Sequence, residues 1–491
     1  MAGLRELGRR IGQALKGSPG AACPECERLS EENRALRQEN EALSRANQTQ
    51  HEEITRLRQM VHEAQRSAKR QAAPFSKGPP KERPKRPGRK RGKAYGVKAR
   101  RFVPDRFDES HDVPLPSCCP RCQGGVLYEK TVDQYQEEIP KARTIIRRFL
   151  IDIGTCQDCH RPVRGRHPLQ TSNAVGAAGV TVGPDALALA ASLNKGYGIS
   201  FGKVSGVLRT AFSLSISRGG LSQAFDRVAT RMEPTYRALI EYVRASPVVC
   251  PDETGWKVAG RLHWLWAFAT PQVTVYRIMD GRGYEEACQV LGADFAGTLV
   301  RDGWAPYRSF IHATHQTCIG GHLLRRCDEI LSTAQRGAAR LPHAIQRLFY
   351  RSLALRDRWL EHPPTDHGRL VHAGIIGARM DRLLSWNPTD DENRKLLKHL
   401  RNERDALFTF LYDPTVPASN WWGEQAIRPA VVTRKVWGGN RTLHGAHTQG
   451  IIASSLRSCD QQGVASGPMI VLALRSPVPL IAPLPCFASG P

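Results

Sequence analysis

The chain has 491 residues and a formal net charge of +25, so it is strongly basic and long enough for about three or four domains. Such an excess of positive charge indicates a polyanionic partner, most often nucleic acid. The sequence has no run of about 18 apolar residues, and its start lacks the apolar core of a secretory signal, which argues against membrane and secreted proteins and favours the cytoplasm.

The first predicted element is a coiled coil over residues 27–65. Leucine recurs every seven residues and asparagine follows each leucine by four, at Leu29, Leu36, Leu43, Asn33, Asn40 and Asn47. This heptad places leucine at d and asparagine at a, which predicts a short, parallel, dimeric coiled coil whose polar positions fix the register at a cost in stability. The alternative is a single solvated helix.

A basic arm follows over residues 66–101. It holds 15 lysines and arginines against a single acid, Glu82, among many prolines and glycines. A segment of this composition cannot fold alone. We predict a disordered arm that neutralises DNA phosphates without reading sequence, and Arg89, Lys90 and Arg91 lie in its most basic stretch. The alternative is a solvated linker, and the two interpretations are compatible.

Two Cys-x-x-Cys pairs lie within residues 112–170, and they suit metal binding in a reducing compartment. The ligands would be Cys119, Cys122, Cys156 and Cys159. Between the pairs, residues 126–139 and 143–155 have the pattern of strands. Two cysteine turns joined by a β-hairpin predict a zinc ribbon in which four thiolates hold one structural Zn²⁺.

A further pair, Cys23 and Cys26, has no second half within the chain. Unpaired cysteines are the simpler interpretation. However, the pair directly precedes the predicted parallel dimer, so two chains could supply four thiolates to one shared Zn²⁺.

Residues 174–245 predict a helical region. Helical patterns cover residues 184–196, 200–212 and 219–232, and a short turn separates the second from the third. Two helices of this length joined by a short turn fit a DNA-binding helix-turn-helix. Plain helical packing explains the pattern equally well.

A catalytic core is predicted over residues 246–460. Three apolar strands at 247–258, 262–270 and 273–279 precede a helix at 284–292 and a fourth strand that ends at Asp302. This is the order of a ribonuclease H-like sheet, in which the first and fourth strands are neighbours. Asp252 and Asp302, at the ends of those strands, would then face one site.

A third carboxylate is expected at Glu424, on a predicted helix that also carries Arg428, Arg434 and Lys435 for phosphate contacts. Three carboxylates suit Mg²⁺, because two such ions can hold the attacking and leaving oxygens of a phosphoryl transfer. The rival acids are Glu253, Glu403, Asp405 and Asp413. Glu253 alternates onto the opposite strand face from Asp252, so we expect it to be an ordinary exposed residue.

The segment between Asp302 and Glu424 has a helical pattern, which predicts a helical insertion at about residues 313–415. Its many arginines suggest contact with DNA or a partner subunit, and a solvated spacer is the alternative. Residues 461–491 are expected to form a C-terminal tail. The predicted fold class is therefore multidomain α+β, with a ribonuclease H-like α/β catalytic core.

The motifs PDETGW, LVRDGWAPY, HQTCIGGHLLRRC and NWWGEQAIRPAVVTRKVWGGNRT resemble those of transposases of the insertion sequence 66 family, and the resemblance covers most of the chain. It implies a DDE core with Asp252, Asp302 and Glu424 as the catalytic triad and two Mg²⁺ or Mn²⁺ ions. It also implies a bacterial, nucleoid-associated enzyme that binds the terminal inverted repeats of its element and target DNA, with Arg441 in the DNA-binding motif and accessory proteins as further partners.

The chain departs from this family pattern at a few positions. Where many relatives carry a second asparagine and, after the glutamate, an arginine, this chain has Trp421 and Gln425. Relatives also carry Cys-x-x-His after the second aspartate, whereas Cys318 and His322 are one residue further apart, with two glycines between them. We therefore expect no metal-ligand role for this pair.

Two other functions fit the same sequence. One is a regulatory zinc-dependent DNA-binding protein whose core has lost activity, although the intact acids Asp252, Asp302 and Glu424 argue against it. The other is a metal-dependent DNA endonuclease that cuts but does not join.

Overall fold

The computed structural model describes residues 24–68, 103–140, 142 and 144–491. Most of the predicted basic arm, including Arg89, Lys90 and Arg91, lies outside the described residues, as does Cys23. The chain divides into two compact units, 1–70 and 71–491. Within the described residues no helix is both long and apolar enough to cross a membrane.

The first unit contains one long helix, α1, at Pro24–Ala68. Apolar side chains at the predicted a and d positions are about half exposed, namely Leu36, Leu43, Ile54, Leu57 and Val61. A helix with an apolar seam gains most of its stability by covering that seam. The helix agrees with the predicted bounds to within a few residues, while its pairing with a second chain stays a prediction.

The two Cys-x-x-Cys pairs form turns with the same backbone geometry. In each, the first cysteine donates its N–H to the carbonyl five residues on and accepts from the N–H four residues on. The residue after the second cysteine is left-handed in both turns, with φ of 62° at Gln123 and 55° at His160. Backbone N–H groups of the turns lower the pKa of Cys119 and Cys156, which favours the thiolate that binds metal.

The predicted hairpin between these turns is wrong in its extent. The described part of residues 126–152 contains no strand, and only β1, Ile153–Thr155, and β2, Pro162–Arg164, pair with each other. An alternating pattern needs a partner strand and a surface to cover, and Leu127, Ile146 and Leu150 are at least four-fifths exposed. Each of the two cysteine turns is formed, and the binding of one Zn²⁺ by both turns together stays a prediction.

The second unit is built on a five-stranded mixed sheet. Its strands are β3 at Val248–Val258, β4 at Arg261–Ala269, β5 at Thr274–Met279, β6 at Thr298–Arg301 and β7 at Thr314–Thr317. They stand in the order β5-β4-β3-β6-β7, so β3 is central. It pairs antiparallel with β4 and parallel with β6, and β6 pairs parallel with β7. The predicted side-by-side placement of the first and fourth strands is confirmed.

Helices cover both faces of this sheet. Three helices precede the sheet in the chain, namely α2 at Pro184–Ala191, α3 at Phe201–Phe212 and α4 at Arg218–Ala245. A fourth, α5 at Tyr284–Leu291, connects β5 to β6. After β7 come α6 at Leu324–Thr333, α7 at Arg340–Glu361, α8 at Asp366–Leu384, α9 at Asp391–Asn402 and α10 at Thr409–Tyr412. The last four are α11 at Trp421–Trp437, α12 at Leu443–Gln461, α13 at Ser466–Arg475 and α14 at Pro485–Ser489.

The side chains of β3 alternate between two cores, because successive residues of a strand point to opposite faces. Val249 lies in the core formed with α2 to α5, α12 and α13. Val248 and Cys250 lie in the core formed with α6 to α10. A third cluster joins Trp256 and Leu265 to α11. The sheet is therefore buried on both faces.

The structure changes three predicted boundaries. The helical region 174–245 and the tail both contribute to the same core as the sheet, through residues such as Phe225 and Leu484, so neither is a separate layer. The helical insertion begins after β7, because residues 314–317 form the fifth strand. The helix-turn-helix interpretation of α3 and α4 stays a prediction.

Candidate active site at the ends of three parallel strands

The strand register brings three side-chain positions to one level of the sheet. Val248 lies opposite Thr298, and Arg301 lies opposite Thr317. Asp252 and Asp302 each lie four residues after the members of the first pair, so that register sets them level with each other. Asp302 and Cys318 each lie one residue after the members of the second pair, so they are level as well. All three strands are parallel, so these residues lie at the same edge of the parallel part of the sheet.

The sequence predicts Asp252 at the end of its strand, but the structure places it inside β3. It pairs with Ala267 on β4, while ladder pairing with β6 stops at Val249, which leaves the β6 side of Asp252 open. One carboxylate oxygen accepts the Glu253 N–H at 2.8 Å. Burial, with the neighbouring charges of Glu253, Asp302 and Glu424, raises the pKa of Asp252 to about 7. Three further acids are therefore close enough to repel its charge.

Asp302 is the first residue after β6. Its carboxylate accepts the N–H of Trp304 at 3.0 Å, which fixes a turn directly after the strand. The next residue, Gly303, is covered by the ring of His399, and a side chain at this position would overlap that ring. The turn and the glycine together let α9 pack closely against the residue beside Asp302.

Glu424 is carried to the same edge by the first turn of α11. Asn420, just before the helix, donates its side-chain N–H to the carbonyl of Pro251 at 2.8 Å. This bond ties the start of α11 to the residue before Asp252. The Glu424 side chain is 46% exposed, so its carboxylate remains open to solvent. The sequence places Asn420 on the helix face of Glu424 but gives no sign of this bond, because the two partners are 169 residues apart.

Cys318 and His322 lie beside Glu424. One ligand atom from each of the three residues falls within 4.8 Å of the others, and the His322 Nε2 to Glu424 Oε1 distance is 3.7 Å. A π-helical turn at Ile319–Leu323 carries His322. A π turn holds one more residue than an α turn, so it accommodates the extra residue between Cys318 and His322. The expectation of no metal-ligand role is therefore not supported by the geometry.

The prediction that Glu253 is exposed is wrong. Its side chain is 2% exposed and pairs with Arg282 at 2.6 Å, and the other oxygen accepts the Tyr307 hydroxyl at 2.5 Å. The Arg282 guanidinium lies between the rings of Trp264 and Trp304, at 4.8 and 4.1 Å from their centroids. Glu253 points away from the site, as predicted, but it is a buried structural anion.

The other rival acids either bond to groups outside the site or are exposed to solvent. Glu403 is 1% exposed and is held by Arg301 at 2.8 Å, Arg308 at 2.7 Å and the Thr317 hydroxyl at 2.7 Å. Although burial opposes it, the Arg301 charge lowers the pKa of Glu403. Asp413 accepts from Thr415, and Asp405 is exposed. These partners leave Asp252, Asp302 and Glu424 as the carboxylates at the edge.

The predicted DNA-binding residues of α11 differ in exposure. Arg434 is 7% exposed and donates to the Thr254 hydroxyl at 2.6 Å and the Gly255 carbonyl at 2.5 Å. It therefore fastens α11 to β3 and is not available to a phosphate in this conformation. Arg428 and Arg441 are exposed and Lys435 is partly exposed. DNA contact by these three residues stays a prediction.

Comparison with known proteins adds a family. Residues 179–448 match the family described as "Transposase IS66 family". An uncharacterized protein y4qI of Sinorhizobium fredii (strain NBRC 101917 / NGR234) is 24% identical over 282 residues, which cover 51% of this chain and 51% of the relative. A second uncharacterized protein of that strain, y4jD, is 22% identical over 282 residues, with 52% and 54% covered. The chain spans about half the length of these curated relatives.

Proposed function

The chain belongs to the IS66 family of transposases, and we propose that it binds the ends of its mobile element and catalyses metal-dependent DNA strand cleavage and strand transfer. One observation carries the proposal. The register of the neighbouring parallel strands β3 and β6 sets Asp252 and Asp302 at the same level, and the bond between Asn420 and Pro251 ties the start of the helix that carries Glu424 to β3. The sheet order, with the antiparallel strands β5, β4 and β3 followed by the parallel strands β3, β6 and β7, supports a ribonuclease H-like core.

The donor set fits a divalent cation. Asp252, Asp302 and Glu424 offer only carboxylate oxygens, which are the ligands that Mg²⁺ and Mn²⁺ prefer. The pKa of Asp252 is raised to about 7 in part by the charges of the other two. A divalent cation between them would remove that repulsion and hold all three acids ionised.

Two bound Mg²⁺ ions would activate the attacking water or 3′-hydroxyl and neutralise charge on the leaving oxygen. The residues of the chain hold the three carboxylates in position. The bond of Asn420 to Pro251 sets the distance between α11 and β3, and the turn at Asp302 holds its carboxylate at the strand end. Exposed Arg428 and Arg441 would contact DNA phosphates. No covalent link between protein and DNA is required.

The remaining regions would recognise DNA and assemble the enzyme. We assign nonspecific phosphate binding to the basic arm and a structural Zn²⁺ to Cys119, Cys122, Cys156 and Cys159. The exposed apolar seam of α1 would pair with a second copy of the chain to form a dimer or a larger assembly. The DNA partners would be the terminal inverted repeats and the target, with accessory proteins of the element as further partners.

A strand-transfer assay with Mg²⁺ and the terminal DNA of the element tests this function. We expect Asp252→Asn, Asp302→Asn and Glu424→Gln each to lower the cleavage rate at least about 100-fold, because each removes a carboxylate ligand of the proposed Mg²⁺ ions that stabilise the transition state. Asp405→Asn is the matched control, since Asp405 is an exposed acid outside the proposed triad. It should cleave at the wild-type rate.

The outcomes separate the rival functions. Equal rates for the wild type and Glu424→Gln would contradict the proposed triad. A wild-type product that is cut but never joined would favour the endonuclease. Zinc-dependent DNA binding without any cleavage would favour the regulatory protein.

A further inference from the structure

A second type of ligand set adjoins the proposed carboxylate site. Cys318, His322 and Glu424 each present one ligand atom, and the three atoms lie within 4.8 Å of one another. Among the described residues this is the one such group of three or more histidine, cysteine or acidic side chains. Glu424 belongs both to this group and to the proposed carboxylate triad.

The backbone holds this group in place from three directions. Cys318 donates its N–H to the Arg301 carbonyl at 2.8 Å, which places the thiol directly beyond β7. Ile319 donates to the Ala418 carbonyl at 3.0 Å, and the Asn420 N–H points to the Cys318 sulfur at 3.3 Å. The π turn and the start of α11 are therefore bonded to each other on both sides of the thiol.

A glycine keeps the space between the ligands free. A Cβ atom on Gly321 would lie 2.8 Å from the Glu424 Oε1 atom and 3.4 Å from the Cys318 sulfur. No side chain could fit there without moving the carboxylate. The Cys318 sulfur faces this space from the interior, while His322 and Glu424 are 36% and 46% exposed, so an ion could enter from solvent.

The chemistry of the three ligands selects the metal. A thiolate and an imidazole bind Zn²⁺ far better than Mg²⁺, which prefers oxygen ligands alone. Three protein ligands also leave one position open in the tetrahedral geometry of Zn²⁺. Burial raises the pKa of the Cys318 thiol, but ligation to Zn²⁺ deprotonates a thiol outright.

We infer that Cys318, His322 and Glu424 form a Zn²⁺ site that shares Glu424 with the proposed Mg²⁺ site. Zn²⁺ bound there withdraws Glu424 from the carboxylate triad and inhibits DNA cleavage. The binding site stands on its own geometry, whereas its inhibitory effect rests on the proposed function.

Zinc binding by the full-length chain tests the site. Wild type, Cys318→Ser and His322→Ala are titrated with Zn²⁺ against a chromophoric chelator. Cys288→Ser is the control, because Cys288 is a partly buried cysteine of α5 outside the group. We expect the wild type and Cys288→Ser to bind one more Zn²⁺ per chain than Cys318→Ser. His322→Ala should bind that ion at least about 10-fold more weakly.

Co²⁺ in place of Zn²⁺ identifies the sulfur ligand. The thiolate-to-Co²⁺ absorption of the wild type should exceed that of Cys318→Ser, while any contribution of the ribbon cysteines is the same in both proteins. Equal Zn²⁺ stoichiometry and affinity in the wild type, Cys318→Ser and His322→Ala would overturn the site. Should Cys318→Ser fail to fold, His322→Ala still decides the question, because His322 is partly exposed.

Inhibition is measured as cleavage at saturating Mg²⁺ with increasing Zn²⁺. His322→Ala should need at least about 10-fold more Zn²⁺ than the wild type for half-inhibition, each rate being compared with that of the same protein without Zn²⁺. Equal sensitivity would overturn the inhibitory role. A wild type that does not cleave under any condition would refute the proposed function, and the Zn²⁺ titration would still decide the site.

Discussion

Lys195 is a buried cation in the helical region, 6% exposed and surrounded by aromatic rings. Its ammonium lies 5.3, 5.6 and 5.0 Å from the ring centroids of Phe201, Phe225 and Trp437. The rings favour the charged form in part. Burial nevertheless lowers the pKa of Lys195 to about 7, against a smaller opposing effect of Asp226.

The charge of Lys195 should make stability depend on pH. Between pH about 7 and 10.5 the lysine is charged only in the unfolded chain, so the unfolded state binds more protons. The free energy of unfolding must then rise with pH across this window. Urea unfolding at pH 7.5 and 9.5 should show a gain of about 2 to 3 kcal/mol in the wild type relative to Lys195→Met.

Lys203→Met provides the control, because Lys203 is an exposed lysine of the neighbouring helix α3. It should keep the wild-type dependence on pH. The same dependence in the wild type and Lys195→Met would contradict a depressed lysine pKa in the folded protein.

Single residues show which features local pattern can predict. The placement of Asp252 and Asp302 on neighbouring strands was accessible from sequence, because each acid follows a short continuous apolar run typical of a buried strand. The burial of Glu253 was not accessible, because Arg282 and Tyr307 reach it from later segments. The same is true of Arg434, whose acceptor groups belong to β3. The charge of a residue alone did not distinguish a surface contact from an interior bond.

At the scale of elements, the π turn at Ile319–Leu323 contains two adjacent glycines with different surroundings. A methyl group on Gly321 would lie 2.8 Å from the Glu424 carboxylate, whereas one on Gly320 would meet only Ser419 at 3.6 Å. The first contact is with the free end of a side chain, which can move aside. The backbone would therefore tolerate both changes while only one of them displaces Glu424.

Gly321→Ala should consequently impair the site without unfolding the protein. We expect its Mg²⁺-dependent cleavage to fall at least about 10-fold, with the free energy of unfolding changed by no more than about 1 kcal/mol. Gly320→Ala should remain near the wild type in both measurements. Equal activities of the two variants would show that the position of Glu424 does not depend on this space.

The helical insertion is fastened to the sheet by a buried ion pair. Glu403 directly follows α9 and bonds to Arg301 of β6, which is itself 2% exposed. Glu403→Gln would leave that guanidinium without its counter-ion in the interior. We expect the free energy of unfolding to fall by about 3 to 5 kcal/mol, measured by chemical denaturation.

Asp405→Asn, an exposed acid two residues further on, should change the free energy of unfolding by no more than about 0.5 kcal/mol. A loss below about 1 kcal/mol in Glu403→Gln would indicate that apolar packing alone joins the insertion to the sheet.

At the scale of the whole molecule, the seam of α1 predicts self-association. Leu36→Lys with Leu43→Lys places two charges on the d positions of the seam and should convert a dimer to a monomer in analytical ultracentrifugation of the full-length chain. Gln38→Lys with Ala42→Lys adds the same charge at f and c positions, away from the seam, and should leave the dimer intact. A wild-type monomer at micromolar concentration would contradict the coiled coil.

The whole fold was predicted best where neighbours in sequence are neighbours in space. The hairpin of β3 and β4 and the placement of β6 beside β3 followed from strand pattern and order. The strands at 126–155 were overpredicted, because alternation does not reveal whether a partner strand exists. Cys318 and His322 were considered as ligands and rejected on their spacing, and Glu424 was assigned to the triad alone, because sequence does not show that a π turn and a helix about 100 residues later bring the three together.

The long separation between Asp302 and Glu424 also orders events in time. At about 5 to 20 residues per second, a ribosome needs about 6 to 24 seconds to synthesise the residues between them. During that interval the nascent chain holds both aspartates but lacks α11, whose Ala426 packs with Trp256 of β3. We expect a nascent chain that stops before Trp421 to be without activity and to present apolar surface to chaperones. Under the proposed function, the chain gains the ability to cut DNA only after the helix that carries Glu424 has been made.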